Sequence, residues 1–439
     1  MTSPCPDLDP LIWPRTVTRD DRGMLHVAGV SAHTLAGQFG TPMYVFDERD
    51  FRARCRDFVG AFADADVYYA GKAFLTKAIT RIVREEGLRL DVCSGGELAV
   101  ALAGGMPPGR IGLHGNNKSV RELRTAVDVG VGRIIIDSFT ELDRLTRLAE
   151  VKGRRPKVLL RVTVGIDAHT HEYTATAHHD QKFGFSLDGG DALAAVERVL
   201  AAGSLELTGL HSHIGSQIFG MSGFEVAARR LIGTYRSIRD LHAIVLPELN
   251  LGGGFGIAYT PADDPASVSE LALGIAKILE EECNTWSLPV PRLAIEPGRA
   301  IVGPSTFTLY EVGTVKETAA RRYLSVDGGM SDNIRPALYG AAYTAVLANR
   351  WPVGPEVLSR VVGKHCETGD VVVWDISLPA DIGPGDLLAV PATGAYCRAM
   401  ASNYNLQPRP PVIAVADGTA RVMTRRETFA DLMALEEWV

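Results

Sequence analysis

Lys72, in Val67-Tyr68-Tyr69-Ala70-Gly71-Lys72-Ala73-Phe74, follows directly on an apolar, β-favouring run. An amine at the mouth of such a strand is placed to capture a carbonyl compound as a Schiff base, because an ammonium that is costly to desolvate loses its proton and becomes nucleophilic. By itself a strand-end lysine more often extends into solvent, so the reading depends on its companions. Gly252-Gly253-Gly254-Phe255-Gly256 would let backbone N–H groups close around a phosphate without side-chain obstruction, although tight turns are glycine-rich for steric reasons too. In Ile295-Glu296-Pro297-Gly298-Arg299, Glu296 offers a carboxylate that can keep a pyridine nitrogen protonated, and Arg299 a fixed cation for an anionic group. A protonated pyridine is an electron sink. Amine, phosphate loop and pyridinium partner are the parts of a pyridoxal 5'-phosphate (PLP) site.

The segment Gly209-Leu210-His211-Ser212-His213-Ile214-Gly215-Ser216-Gln217 carries two histidines at alternate positions, hence on one side of an extended strand. A metal site would call for Cys or carboxylate ligands at short spacing. None stands nearby in the sequence, so an imidazole stacked on a planar cofactor is the better reading and no metal is expected. His169, His171, His178 and His179 form a second cluster, read as a solvated loop that helps to close the site. Cys366 stands beside Glu367 in a polar segment, which argues against an inert core thiol. A free thiol, with its pKa of about 8.5, keeps its proton near neutrality and can deliver it to a carbanion.

The elements that must position these groups show in the hydrophobic rhythm. Between about residues 67 and 300, short β-branched runs alternate with amphipathic stretches, the pattern of parallel strands joined by crossover helices. Candidate strands are Val67–Ala70, Leu88–Val92, Ile111–Gly115, Arg133–Asp137, Lys157–Val162, Leu205–His211, Glu248–Leu251 and Arg292–Ile295, and apolar residues recur at three and four in Phe224–His242 and Ser267–Trp286. Eight such units predict a closed (β/α)8 barrel, in which chemistry belongs at the C-terminal strand ends. Lys72, the glycine run and Glu296 then follow strands one, seven and eight. After Pro304 the pattern becomes alternating, in Thr306–Val312, Val371–Trp374, Asp386–Val390 and a Val412–Ala416/Arg421–Thr424 pair about Asp417-Gly418, a hairpin signal. The expected class is therefore α/β plus β. Residues 1–46, with candidate strands Leu25–Val27 and Met43–Phe46, contribute strands to a β domain, residues 47–304 form the barrel, and residues 305–439 form a C-terminal β domain of sandwich or barrel-like type.

Among 439 residues, 46% are hydrophobic and 22% charged, and the formal net charge is -7, so no basic field exists for a nucleic acid partner. No basic segment followed by an apolar stretch opens the sequence and no apolar run approaches membrane-spanning length, so no membrane association and a cytoplasmic protein are expected. Six scattered cysteines form neither a disulfide framework nor a CxxC pair and are read as thiols.

Taken in order, these motifs resemble the diaminopimelate decarboxylases, fold-type III PLP enzymes grouped with ornithine and arginine decarboxylases and related in their barrel to alanine racemase. The resemblance runs from about Thr41 to near the C-terminus, through Asp91-Val92-Cys93-Ser94-Gly95-Gly96-Glu97-Leu98, His114-Gly115-Asn116-Asn117-Lys118-Ser119, His211–Gln217, Glu296–Arg299, Val326-Asp327-Gly328-Gly329-Met330-Ser331-Asp332, Cys366-Glu367 and Gly394-Ala395-Tyr396. It implies that Lys72 carries PLP, that His213 stacks on the ring, that Ser216, Gly253, Gly254 and Tyr396 approach the phosphate, and that Glu296 pairs with the ring nitrogen. It further implies that Arg299, Arg335 and Tyr339 hold the carboxylate at the unreactive end of meso-diaminopimelate, with Glu367 on its amino group. Cys366 would be the general acid, contributed by the other subunit of a homodimer. The chain departs from the family in Gly363-Lys364-His365 before Cys366 and in Gln181 before Lys182-Phe183-Gly184. Both departures bear on local loop geometry.

The implied reaction is removal of carbon dioxide from the D centre to leave L-lysine, the last step of lysine biosynthesis. Decarboxylation of ornithine, lysine or arginine is the alternative, but a distal amine or guanidinium calls for carboxylates, and Arg299, Arg335 and Tyr339 suit a distal carboxylate. A non-catalytic homologue that only binds ligands is the third reading, and the presence of both Lys72 and Cys366 weighs against it.

Overall fold

The structure, a computed structural model, describes residues 8–165 and 182–437. Cys5, the histidines between 169 and 179 and Gln181 lie outside the described residues. The chain divides into two compact units, one comprising Arg54–Gly256 and Pro265–Gly298, the other Met1–Ala53, Ile257–Asp264 and Arg299–Val439.

The first unit is a closed parallel barrel. Its strands are Asp66–Ala70, Arg89–Val92, Ile111–Leu113, Arg133–Ile136, Lys157–Thr163, Glu206–His211, Glu248–Asn250 and Arg292–Ile295, each paired with the next. Pairing of Ala294 with Asp66 and of Ile295 with Val67 closes the ring. All eight lie where the β-branched runs placed them, and a short ninth strand, Phe185–Ser186, extends from the fifth. Strand ends lead quickly into helices whose first turns are capped by side chains. Ser94, Ser119 and Ser138 each accept from the backbone N–H three residues on, which shortens and stiffens the loops on the C-terminal rim. The long helix Ser222–His242 buries Phe224, Ala227, Ala228, Leu231, Ile232, Tyr235 and Ile238, the three-and-four spacing seen in the sequence.

The second unit is built on a mixed sheet. Thr306–Glu317 pairs antiparallel with Arg322–Val326, Leu387–Val390 and Met43–Asp47, so an N-terminal strand completes a largely C-terminal sheet. Met43–Asp47 also runs parallel to Val412–Ala416, which folds back on Thr419–Thr424. The turn between them holds Asp417 at φ 49° and Gly418 at φ 74°, two successive left-handed residues as the Asp-Gly signal requires.

One buried carboxyl group in this unit has a consequence for stability. Asp332 is 1% exposed; the Tyr310 hydroxyl donates to its Oδ1 and the Gly329 N–H to its Oδ2 at 2.8 Å. Burial outweighs those hydrogen bonds and pushes its pKa up to about 7. The folded state thus holds a proton that the unfolded state releases near pH 4, and the stabilisation present below that pH is lost as pH rises through 7. The loss is on the order of 4 kcal/mol. Asp332→Asn carries an amide where the acid carries its O–H, and escapes this loss. Its melting temperature should exceed that of the parent at pH 8, with the gap narrowing toward pH 5, as thermal unfolding at the two pH values will show.

Candidate active site

Inside the barrel unit the C-terminal rim gathers Lys72, His213, Ser216, Gly253, Gly254 and Glu296. Lys72 sits in the single turn Gly71–Ala73 that follows the first strand. The residue is exposed, so the desolvation that its position after an apolar strand led us to expect is not present in this chain. Its charge is still felt nearby, acting on both Asp91 and His213.

Glu296, just past the eighth strand, is 7% exposed and enclosed by donors. Asn250 Nδ2 donates to its Oε1 at 2.7 Å, His114 Nε2 lies 2.9 Å from the same oxygen, and His211 Nε2 lies 3.3 Å from Oε2. Burial alone would raise the Glu296 pKa, but His114 and His211 outweigh it and hold the carboxyl well below its usual range. Burial also draws His114 down to about 4, so the imidazole is neutral near pH 7. Asp91 behaves oppositely. Burial and the Glu296 charge push it well above the usual carboxylate range, and it is the neutral member of the pair. His114, His211 and Glu296 also offer ligand atoms within 4.8 Å of one another, a grouping that spacing along the chain did not reveal.

The glycine loop is fitted closely to these groups. A Cβ on Gly253 would lie 2.3 Å from the Glu296 carbonyl oxygen, and one on Gly254 2.6 Å from that of Gly215. Any side chain there would force the loop open. Gly252 N–H donates to Asn250 Oδ1 at 2.8 Å and Gly253 N–H to His213 Nδ1 at 3.2 Å. The second bond makes Nδ1 the acceptor nitrogen, and burial, with Lys72 and Arg161 close by, keeps His213 neutral by holding its pKa well below normal. It also commits the Gly253 N–H, which the sequence reading had assigned to a phosphate. A backbone bridge between Ile218 and Phe255 joins the loops after strands six and seven, and Phe255 is anchored by Phe58 and Phe224 at ring distances of 5.4 and 5.2 Å. Flat neutral imidazole, close-packed glycine backbone and shielded carboxylate fit the ring and phosphate of PLP.

The second unit holds Arg299, Arg335, Tyr339, Cys366, Glu367 and Tyr396. Arg299 Nη1 donates to the Tyr259 hydroxyl at 2.5 Å, and its guanidinium lies 4.8 Å from the centre of the Tyr396 ring. Arg335 stands 4.6 Å from the centre of the same Tyr259 ring and donates to the Tyr343 hydroxyl. Burial works against the Arg335 charge, but Tyr259, Tyr343 and Cys397 more than offset it and raise its pKa. Two arginines are thus held around one tyrosine. Tyr396 adopts φ 61°, a strained backbone for a non-glycine residue, of the kind that concentrates at functional sites. Cys366 and Glu367 are exposed, on a loop tied by His365 to Ser331 at 2.8 Å and to Asn405 at 3.1 Å.

Sequence reasoning gave no role to Asp91, His114, Arg161, Asn250 or Tyr259. Four of them stand on or just beyond barrel strands, and Arg161 interrupts the apolar run Val158-Leu159-Leu160-Arg161-Val162. A polar residue at a barrel strand's C-terminal end was the available signal. Tyr259 had none, because only folding brings it between the arginines.

The fold and the rim define a class, a PLP-dependent barrel enzyme. A profile of the pyridoxal-dependent decarboxylases, pyridoxal binding domain, matches residues 48–303. Diaminopimelate decarboxylase of Mycobacterium tuberculosis (strain ATCC 25618 / H37Rv) is 55% identical over 442 residues, covering 98% of each chain, and that of Bacillus subtilis (strain 168) is 45% identical over 426 residues, covering 96% of this chain and 97% of its own. The crystal structure of the M. jannaschii diaminopimelate decarboxylase superposes with a TM-score of 0.91 at 30% identity, over 97% of this chain and 98% of that one. The Helicobacter pylori enzyme complexed with L-lysine gives 0.85 at 30% identity, over 92% and 98%. The chain belongs to the diaminopimelate decarboxylase family of pyridoxal-dependent decarboxylases.

Lys118 is an internal strut of this rim. Its Nζ donates to Gly115 O at 2.8 Å, Ile135 O at 2.6 Å and Glu141 Oε1 at 2.7 Å, with both side chains almost fully buried. Lys118→Met should cost about 3–5 kcal/mol of unfolding free energy, because it strands the Glu141 charge, and Lys118→Met/Glu141→Leu should recover most of that loss. Urea denaturation of the three proteins provides the comparison.

Proposed function

We propose that this protein decarboxylates meso-2,6-diaminopimelate at its D centre, producing L-lysine and carbon dioxide, with PLP attached at Lys72. The observation that carries the choice of substrate is Arg335, more than nine-tenths buried, stacked on the Tyr259 ring and donating to the Tyr343 hydroxyl. A buried guanidinium that meets no carboxylate among the described residues is costly, so this position favours a ligand bearing a carboxylate beyond the reacting one. The names of the relatives at 45–55% identity support the same choice.

When bound, PLP supplies an electron sink for the pair of electrons left as carbon dioxide departs. The chain supplies the rest. Lys72 would provide the amine that holds the cofactor's aldehyde. Glu296 stays anionic and so favours a positive ring nitrogen. Neutral His213 offers a flat face, while Ser216, Gly254 and Tyr396 serve the phosphate and Gly253, its N–H held by His213 Nδ1, shapes the loop beside it. At the unreactive end Arg299, Arg335 and Tyr339 take the carboxylate and Glu367 the ammonium. Fixing the L end in this way presents the D centre for reaction. We infer that the protein acts as a cytoplasmic homodimer in which Cys366 of the partner subunit protonates the reacting carbon. Exposure of Cys366 and Glu367 in the single chain supports that arrangement, and the absence of a disulfide among the described cysteines fits a reducing compartment. Among the described residues no helix is long and apolar enough to cross a membrane.

Carbon dioxide release from meso-diaminopimelate, L-lysine, L-ornithine and L-arginine should differ by about a hundredfold or more in favour of the first, since the others bring no second carboxylate to the buried Arg335. Arg335→Ala should lose most of kcat/KM on diaminopimelate. Comparable turnover of ornithine by the parent would favour a basic-amino-acid decarboxylase instead. The shared site is tested by mixing Lys72→Ala with Cys366→Ala under subunit exchange. Each protein alone should be inactive, and the mixture should regain activity because a heterodimer carries one intact site.

A further inference from the structure

We propose that His114, His211 and Asn250 are positioning residues that saturate Glu296 Oε1 and hold one lone pair of Oε2, leaving the other lone pair of Oε2 as the acceptor for a cofactor's ring N–H. The proposal rests on the PLP reading above and adds to it the residues that aim the carboxylate.

A carboxylate oxygen offers two lone pairs in its plane. Oε1 has two neighbours, Asn250 Nδ2, which donates to it at 2.7 Å, and His114 Nε2 at 2.9 Å; among the described residues Oε2 meets His211 Nε2 alone, at 3.3 Å. Because an ionised carboxylate accepts only, each imidazole must present Nε2–H to it, which fixes both tautomers. His211 agrees with this, since its buried Nδ1 has no hydrogen-bond partner among the described residues, a state tolerable for a bare lone pair and costly for an N–H. The rings brace one another edge to face, with centroids 4.7 Å apart. Asn250 cannot flip, because its Oδ1 accepts from Gly252 N–H at 2.8 Å. The same amide therefore ties the carboxylate to the glycine loop. The close grouping of His114, His211 and Glu296 is explained by these contacts, in which each Nε2 carries its proton toward the carboxylate.

The test compares PLP with its analogue in which carbon replaces the ring nitrogen, measuring dissociation constants of the cofactor-free protein by absorbance and fluorescence. The parent should prefer PLP by about tenfold to a hundredfold, the range for a hydrogen bond to a charged group. His114→Leu and His211→Leu should each reduce that preference about tenfold, mainly by weakening PLP, while His211→Gln, which keeps a donor, retains most of it. Asn250→Ala leaves both imidazoles in place and gives an independent reading should a leucine variant fail to fold. Equal weakening of PLP and the analogue in the variants, or no change in either, would overturn the proposal, since a merely structural role cannot sense one ring atom. A parent that binds neither ligand would instead refute the PLP reading, and one that binds both equally would refute the role of Glu296 itself.

Discussion

Taking a carboxylate out of water costs several kcal/mol unless donors replace the solvent, and the barrel meets that requirement at Glu296 with groups drawn from three other strand ends. His114 follows the third strand, His211 closes the sixth and Asn250 closes the seventh. Only a closed ring of parallel strands can bring those four positions to one point, because strands three, six and eight are not neighbours in sequence or in pairing order. The site is therefore a consequence of closure, and the charge state of Glu296 depends on every strand remaining in register.

The division of charge follows from the same constraint. Two carboxyl groups, Asp91 and Glu296, are buried close together, and two like charges cannot both be ionised cheaply in a medium of low polarity. The geometry settles which one yields. Glu296 has three polar hydrogen-bearing neighbours, while among the described residues Asp91 Oδ1 makes only a long approach to His114 Nε2 at 3.3 Å. Burial pushes Asp91 toward its neutral form, and the network keeps one negative charge on the group best supplied with hydrogen bonds. In the other unit the problem is inverted, with two buried guanidinium groups packed on tyrosine faces and hydroxyls that accept from them. Aromatic faces and phenol oxygens help to keep those cations in place.

Much of this was legible in the chain. The eight β-branched runs gave the barrel, since a buried parallel strand must be apolar on both faces and that leaves a plain mark in the sequence. The glycine run, Lys72 and Glu296 were visible for a related reason, being chemically distinctive residues placed directly after such runs. The Asp417-Gly418 turn was equally clear, because only a few residue types accept two successive left-handed conformations. Less legible was the state of Lys72. An apolar strand before it suggested burial, yet the turn Gly71–Ala73 carries the side chain to an exposed position.

What the sequence determined by itself was the set of elements and the identity of the reactive groups, because strand periodicity, capping and turn chemistry act over a few neighbouring residues. What the tertiary structure decided was the partners. Tyr259 comes from a short segment between the glycine loop and the helix Val268–Thr285, yet it meets Arg299 and Arg335 from beyond the barrel. His114 and Asn250 likewise reach Glu296 across separations of 182 and 46 residues. Protonation and orientation are set by such distant contacts, which local patterns cannot encode, since each depends on which strands close next to which and on what water they exclude.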